Sequence, residues 1–189
     1  MSENQEQWRA QHYALLATLL AAPPQIALLD NIAEVDVTEP ESAMGQAWLA
    51  LQTAAKQVEK DALNSEYHAL FIGLTQGEII PYGSFYQTGF LNEKPLALLR
   101  KDLAQLGLER QDDKKEPEDH IAAEFDVMRL ILSAQGTPVV DASTFFNRHI
   151  QPWAERFFSD LAVAKNAVFY RSVAGFANQF IKLETQLLK

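Results

Sequence analysis

Apolar residues recur at helical spacing along almost the whole chain, and this periodicity constrains the fold more than any other feature of the sequence. Two clear stripes are Ile121, Phe125, Met128, Leu132 and Phe169, Val173, Phe176, Phe180, Leu183, Leu187. Steps of three and four residues place each stripe on one side of a helix, which gives every helix an apolar face to bury. Because convincing period-two runs of β-branched residues are absent, the sequence predicts an all-α fold.

Capping and breaking residues predict where several helices begin and end. One helix is expected to begin near Glu93, after a cap at Asn92, and to stop at Gly107. Another is expected to begin near Pro117 and to end at the Gly-Thr-Pro sequence of 136–138. Proline at a first helical position and glycine after the last one are the usual marks of helix ends.

Two segments interrupt the helical pattern. Residues 73–90, GLTQGEIIPYGSFYQTGF, are rich in glycine and aromatic residues, and residues 107–116, GLERQDDKKE, are charged and weakly apolar. Both are predicted to be loops, and loops on a rigid scaffold often carry function. We therefore predict one all-helical domain over 1–189, in which a charged hinge at 107–117 joins an N-terminal and a C-terminal helical half.

Composition narrows the class of protein. The chain has no cysteine, which excludes disulfides and thiolate metal sites, and its net charge is -9 without a Lys/Arg cluster that would suit nucleic acid. Near the N-terminus, Glu3 and Glu6 outweigh Arg9, which does not fit an export signal. The apolar run at 13–22 is too short to span a bilayer. A cytoplasmic protein without membrane insertion is expected.

Signals of catalysis are weak. The sequence contains no phosphate-binding loop of the GxxxxGK[ST] type, no GxSxG motif, and no ExxH or HExxH metal motif. His120 and Glu124 are one turn apart and could share a metal ion, but a surface pair on one helix face is favoured. A triad of Ser84, Asp119 and His120 is disfavoured, because adjacent Asp and His side chains rarely orient each other. No catalytic residue, metal or cofactor is expected.

Four regions of the chain resemble the TorD/DmsD/NarJ family of chaperones for exported molybdenum-containing oxidoreductases. They are EYHALFIGL at 66–74, IPYGSFY at 80–86, EPEDHIAAEFDVM at 116–128, and FFNRHIQPWAERFFSDL at 145–161 with FYRSVAGFANQF at 169–180. The third matches the Glu-Pro-x-Asp-His signature of that family. Before residue 66 the likeness is limited to length and helical pattern.

The resemblance implies a compact helical bundle of the TorD type that does not catalyse a reaction. Family members bind the twin-arginine signal peptide of a precursor, here of the DMSO/TMAO reductase type, and delay export until the molybdenum cofactor is inserted. The expected partners are therefore a twin-arginine leader and the apo form of a molybdoenzyme. A monomer and a domain-swapped dimer both remain open. Weak guanine-nucleotide (GTP) binding has been proposed for some members and is not predicted for this chain.

Charge, aromatic content and the family motifs together predict one peptide-binding site. Its candidate residues are Glu116, Pro117, Glu118, Asp119, His120, Tyr82, Ser84, Phe85, Tyr86, Leu70 and Phe71. Carboxylates would meet the arginines of a leader, while aromatic and leucine side chains would meet its apolar segment. The tryptophans that the family carries before its Pro-Tyr segment have no counterpart, since Tyr67 and Phe71 stand there instead.

Two alternatives stay open at this stage. The stretch at 114–125 also fits the simple first turn of a helix, with Glu118 and Asp119 near the positive end of its dipole. The protein could also be a helical accessory protein that binds and activates a leaderless cytosolic metalloenzyme. If the stretch is a binding site, Asp119→Ala and His120→Ala should weaken peptide binding more than they weaken the fold.

Overall fold

The computed structural model describes residues 3–110, 116–136 and 138–189. The helices are α1 (Glu3–Ala21), α2 (Ile26–Ala33), α3 (Ala43–Gln57), α4 (Lys60–Tyr67), α5 (Gly83–Thr88), α6 (Lys94–Gln105), α7 (Ile121–Ser133), α8 (Ala142–Phe145), α9 (Ala154–Val163) and α10 (Phe169–Leu187). Two π-helical turns, His68–Ile72 and Phe146–Ile150, extend α4 and α8. The described residues contain no β-strand, which confirms the all-α prediction.

The chain forms two compact units, and each is described by itself. Unit 1 contains the described residues of 1–21, 81–154 and 185–189, and unit 2 contains 22–80 and 155–184. The predicted hinge at 107–117 falls within the range of unit 1, and its residues 111–115 lie outside the described part of the chain. The hinge therefore stays a prediction.

The core of unit 1 is built by α1 and α7. The apolar stripe of α7 faces inward, as its spacing predicts, and Ile121, Phe125 and Met128 are fully buried. The ring of Tyr13 on α1 contacts Phe125 edge-on, with 5.4 Å between the ring centres. Burial of these large side chains contributes about 1.5 to 3 kcal/mol each to folding. Trp153 completes this core and is almost fully buried.

The core of unit 2 is built around α10. Phe176 and Phe180 are fully buried, and Trp48 packs edge-on against Phe176 with ring centres 4.6 Å apart. A carboxylate from α4 caps the first turn of α10. Glu66 accepts hydrogen bonds from the backbone N–H groups of Val168 (2.8 Å), Phe169 (3.1 Å) and Tyr170 (2.8 Å). This buried contact joins α4 to α10.

Helix α7 begins later than the sequence pattern predicts. The prediction placed its start near Pro117, but the helix begins at Ile121 and His120 is its N-cap. Residues 117–119 form a turn instead, because a distant segment holds the backbone that follows them. Ile121 donates its N–H to the carbonyl of Pro81 at 2.9 Å. The predicted start of α6 near Glu93 is confirmed, although Glu93 rather than Asn92 occupies the cap position.

The aromatic segment at 73–90 is not a loop throughout. Six of its residues form α5, so the prediction of a continuous loop was wrong for residues 83–88. Gly107 ends a helix as expected, and Gly89 ends α5, which was not predicted. Gly89 follows α5 with a φ of 84°, and Gly107 follows α6 with a φ of 70°, a left-handed conformation that glycine adopts without strain. No described helix combines the length and apolar character that crossing a bilayer requires.

Candidate functional site

Two predicted site segments meet side by side within unit 1. Tyr82 and His120 form an isolated antiparallel bridge, in which Gly83 donates its N–H to the carbonyl of Asp119 at 2.8 Å. The bond from Ile121 to Pro81 closes the other side of this bridge. The Pro-Tyr segment and the Glu-Pro-x-Asp-His segment are therefore one structural feature, although about 35 residues separate them in the sequence.

Asp119 lies beneath this bridge. Its side chain is buried, and its Oδ2 accepts a hydrogen bond of 2.7 Å from the backbone N–H of Ser84 at the start of α5. Its Oδ1 is also buried and has no hydrogen-bond partner, and the same holds for Ser84 Oγ. Asp119 positions α5 against the start of α7, and direct contact between its carboxylate and a peptide on the surface is not available in this conformation.

His120 caps α7 with a neutral ring. Its Nδ1 accepts a hydrogen bond of 3.2 Å from the backbone N–H of Ala122, so Nδ1 carries no proton. Burial lowers the pKa of His120, and the nearby carboxylates of Glu116 and Asp119 only partly offset this effect. A neutral cap explains how a histidine can stand at the positive end of a helix dipole. The ring of Tyr82 packs edge-on against it at 5.3 Å.

The suggested triad does not form. Ser84 Oγ has no hydrogen-bond partner, Asp119 is bound to a backbone N–H, and the Nδ1 of His120 faces its own helix. A nucleophile needs a base within hydrogen-bond reach, and a base needs an orienting partner. These side chains serve the local fold instead.

Glu116 and Glu118 form the part of the acidic site that is not fully buried. Glu116 is exposed and its carboxylate accepts a hydrogen bond from the hydroxyl of Tyr82. Glu118 is half-buried and accepts hydrogen bonds from Arg100 Nε at 3.0 Å and from a terminal guanidinium nitrogen of Arg100 at 2.8 Å. Partial burial would raise the pKa of Glu118, but the hydrogen bonds from Arg100 and the backbone and the charges of Arg100 and Arg110 together outweigh it, so the pKa is lowered.

Aromatic side chains surround these carboxylates. Tyr82, Phe85 and Tyr86 are all half-buried, so each exposes part of its ring. Phe85 and Tyr86 pack edge-on with ring centres 5.9 Å apart, and Tyr86 lies 5.6 Å from the buried ring of Trp153. The aromatic half of the predicted site is thus anchored on the core of unit 1. Pro117 is half-buried in the turn beside it.

Glu124 is a buried carboxyl group, which corrects the prediction of a surface pair with His120. Its side chain is almost fully buried and accepts a hydrogen bond of 3.2 Å from the indole nitrogen of Trp153. Burial raises the pKa of Glu124 well above its usual value, and the charge of Asp119 adds to this effect. A metal shared with His120 gains no support, because the described residues contain no group of three or more ligating side chains that could hold one.

Leu70 and Phe71 belong to unit 2. Leu70 is fully buried and therefore contributes to the core of that unit. Phe71 is half-buried, and its ring packs against Tyr67 at 5.0 Å and against Tyr170 at 5.2 Å. The assignment of Leu70 and Phe71 to a peptide site stays a prediction, and the burial of Leu70 does not favour it.

A separate surface cavity of about 590 Å³ lies along α6 in unit 1. It is lined by Gln87, Thr88, Lys94, Pro95, Leu98, Lys101, Asp102, Arg148 and His149. The carboxylate of Asp102 is buried and bound to Arg148 at 3.1 Å and to His149 Nε2 at 2.8 Å. Beside this group the lining carries two further cations, Lys94 and Lys101, and no second carboxylate, so the cavity does not suit an arginine-bearing ligand despite its size.

Sequence reasoning did not single out Arg100 or Trp153, and it misjudged Glu124. Arg100 stands on the apolar-striped α6 with nothing nearby in sequence to mark it, and its partner Glu118 is 18 residues away. Trp153 lies 29 residues from Glu124. A tryptophan just before α9 and a glutamate beside the apolar stripe of α7 are the available signals, and neither identifies the other.

The chain is similar to known chaperones over most of its length. It is 29% identical to "Chaperone protein TorD" of Vibrio atlanticus and 26% identical to that of Aliivibrio fischeri, and each match covers 95% of this chain and 94% of the relative. A crystal structure of a redox enzyme maturation protein from Archaeoglobus fulgidus shares the fold, with a TM-score of 0.58 and 21% identity over 93% of both chains.

A family comparison gives the same assignment. Residues 38–159, more than half of the chain, match the model of the nitrate reductase delta subunit family. This match and the TorD relatives confirm the identification that the sequence motifs indicated, and with it a chaperone rather than an enzyme. The chain belongs to the nitrate reductase delta subunit family, the group that includes the TorD-type chaperones of redox-enzyme maturation.

Proposed function

We propose that this maturation chaperone binds the twin-arginine leader of a molybdoenzyme precursor of the DMSO/TMAO reductase type and delays export until the cofactor is inserted. A leader of this kind carries two adjacent guanidinium groups followed by an apolar stretch. Its receptor therefore needs accessible carboxylates beside an apolar surface. The client would be bound in the cytoplasm, where precursors are made, and the chaperone would need no cofactor of its own.

One observation carries the proposal: the exposed carboxylate of Glu116 and the partly buried carboxylate of Glu118 stand beside three partly exposed aromatic rings in unit 1. Glu116 is bound to Tyr82, and Glu118 follows two residues later in the same turn. A guanidinium group forms strong, directional hydrogen bonds with a carboxylate, whereas apolar contact with rings contributes most of the affinity. The charge of -9 adds a longer-range attraction for a cationic peptide.

The predicted residues divide into contacting and positioning roles. Glu116, Glu118 and the exposed ring edges are placed to contact a peptide. Asp119 and His120 act through the backbone, because Asp119 holds Ser84 and His120 caps α7. Together they fix the turn at 116–119 next to α5. A rigid support of this kind lowers the conformational entropy that the site loses on binding a peptide.

Calorimetric titration with leader peptides tests the proposal. The native leader of a candidate client should bind, and the same peptide with both arginines replaced by alanine should bind at least about tenfold more weakly, as expected for the loss of charge-assisted hydrogen bonds. A peptide with an unchanged arginine pair and a shortened apolar stretch tests the aromatic half separately. Binding that does not distinguish the arginine and alanine peptides would contradict the proposal.

Copurification from the native host identifies the client. We expect an unprocessed molybdoenzyme precursor, recognised by mass spectrometry from its intact leader sequence. The variant Glu116→Gln/Glu118→Gln should recover less of it than the wild-type protein does. Recovery of a leaderless cytosolic metalloenzyme instead, in equal amounts with both proteins, would support the accessory-protein alternative.

A further inference from the structure

The carboxylate of Glu118 already has arginine partners within its own chain. Arg100 donates two hydrogen bonds to Oε2, at 3.0 Å from Nε and 2.8 Å from the terminal nitrogen. Arg110 approaches the other oxygen, Oε1, with its Nε at 3.9 Å. Each oxygen of Glu118 therefore faces one guanidinium group. This is the same chemistry that an arginine pair of a leader would present.

These internal arginines lie on the solvent side of the contact. The side chain of Arg100 is 52% exposed and that of Arg110 is 42% exposed, whereas the side chain of Glu118 is only 15% exposed. An exposed arginine can rotate away from its partner without disturbing packed residues. The carboxylate of Glu118, in contrast, lies mostly below the surface. The contact can therefore exchange one guanidinium group for another while the fold is maintained.

We infer that Arg100 is an internal competitor for the leader, which must displace Arg100 from Glu118 in order to bind. This inference rests on the proposed function. Binding then exchanges one guanidinium–carboxylate contact for another, so Arg100 lowers the affinity of every leader by the strength of its own contact. Arg110 contacts Glu118 at a longer distance and has a smaller effect.

Competition from Arg100 does not change the ratio between the affinities for different leaders. A leader arginine can replace both hydrogen bonds that Arg100 makes, because guanidinium groups share the same planar arrangement of donors. A lysine presents a single ammonium group and replaces them incompletely. That difference lies in the contact between the leader and Glu118, whereas displacing Arg100 costs every leader the same free energy.

Titration of Arg100→Gln with an arginine-pair leader tests the competition. We expect binding about threefold tighter than that of the wild-type protein, which is the scale of a partly exposed salt bridge. We also expect a lysine-pair leader to gain by the same factor, so that the ratio between the affinities for arginine-pair and lysine-pair leaders does not change. Arg100→Lys should give values between those of the wild type and Arg100→Gln.

Arg129→Gln is the matched control. Arg129 pairs with Asp126 at 2.6 Å on α7, so this variant changes the net charge by the same amount while leaving Glu118 untouched. A general gain of attraction for cationic peptides would appear equally in both variants. A second control introduces Arg100→Gln into a Glu118→Gln background, where the competition has no carboxylate to act on and leader affinity should not change.

The outcomes separate the inference from the function on which it rests. If the wild-type protein binds no leader, the proposed function fails. If the wild-type protein binds, but Arg100→Gln binds equally or more weakly, or gains no more than Arg129→Gln, the inference is overturned while the proposed function stands. A gain in Arg100→Gln that persists in the Glu118→Gln background also overturns it.

Discussion

Two buried carboxylates, one in each unit, hold distant segments together. They differ in how many of their oxygen atoms accept hydrogen bonds. Glu66 in unit 2 uses both oxygens: Oε1 accepts from Val168 and Tyr170, and Oε2 accepts from Phe169. Asp119 in unit 1 uses only Oδ2, which accepts from Ser84. Its Oδ1 and the hydroxyl of Ser84 are buried without a partner.

Both oxygens of Glu66 therefore accept hydrogen bonds within the fold, whereas one oxygen of Asp119 accepts none. A buried polar group that finds its partners contributes to stability, and one that does not costs about 1 to 3 kcal/mol. Such costs are tolerated most often where a protein binds something. The incomplete contact at Asp119 lies beneath the turn that carries Glu116 and Glu118, whereas the complete contact at Glu66 is purely architectural.

Loss of Glu66 should give the largest effect on stability. Glu66→Ala removes the acceptor of three backbone N–H groups, two of them on buried residues, and should lower the free energy of unfolding by roughly 3 kcal/mol. Urea denaturation measures this change. Glu66→Gln is the control, because it retains one carbonyl oxygen and should lose about half as much. A loss below about 1 kcal/mol in Glu66→Ala would remove the contrast with Asp119.

Loss of Asp119 should lower stability less than loss of Glu66 does. It should also weaken binding of the leader. Asp119→Ala leaves the N–H of Ser84 without its acceptor and should cost roughly 2 kcal/mol, since only one hydrogen bond is lost. Asp119→Asn keeps an oxygen for Ser84 and should cost less than half of that. Thermal unfolding and leader titration of both variants test this. If Asp119→Asn binds the leader as weakly as Asp119→Ala, positioning of Ser84 is not the role of Asp119.

Glu124 should make the stability of the protein depend on pH. Its folded pKa is raised, so the folded state holds the proton more tightly than the unfolded chain does. Its contribution is complete below the ordinary value of 4.5 and is lost as the pH rises through the folded pKa. Glu124→Gln should remove this pH-dependent loss. The stability of the variant relative to the wild-type protein should therefore increase towards neutral and alkaline pH. Unfolding measured at several pH values should show the two curves diverging as pH rises; parallel curves would contradict the burial of a protonated Glu124.

His120 should give the smallest effect on stability. His120→Ala removes one cap hydrogen bond and an edge-on ring contact with Tyr82, so we expect a loss of about 1 kcal/mol or less. Leader affinity should fall by a larger factor, because the turn at 116–119 loses its support. Equal losses in melting and in binding would show that His120 acts only as a helix cap. His120→Asn, which can cap the helix without the ring, separates the two contributions.

The helical framework could be predicted because its signal is local. The three- and four-residue spacing of Ile121, Phe125 and Met128 fixes one face of one helix, and all three are buried as that spacing requires. The start of α7 could not be predicted from the same stretch. It depends on the bond between Ile121 and Pro81, whose carbonyl lies 40 residues earlier in the chain.

The candidate site was predictable in its segments but not in the roles of its residues. The motifs placed 80–86 and 116–128 in one site, and the structure brings their ends together through Tyr82 and His120. Burial decides the roles, and burial depends on tertiary partners that the motifs do not contain. Asp119 is buried against Ser84, and Glu124 is buried against Trp153, so neither is the surface carboxylate that its sequence context indicates.

Hydrogen–deuterium exchange with and without a bound leader tests the central claim most directly, because it reports the location of the peptide independently of any substitution. We predict increased protection of backbone amides in 82–88 and 116–121 of unit 1, and little change around the α4–α10 contact at Glu66. Protection confined to unit 2, or confined to the cationic cavity along α6, would contradict the account.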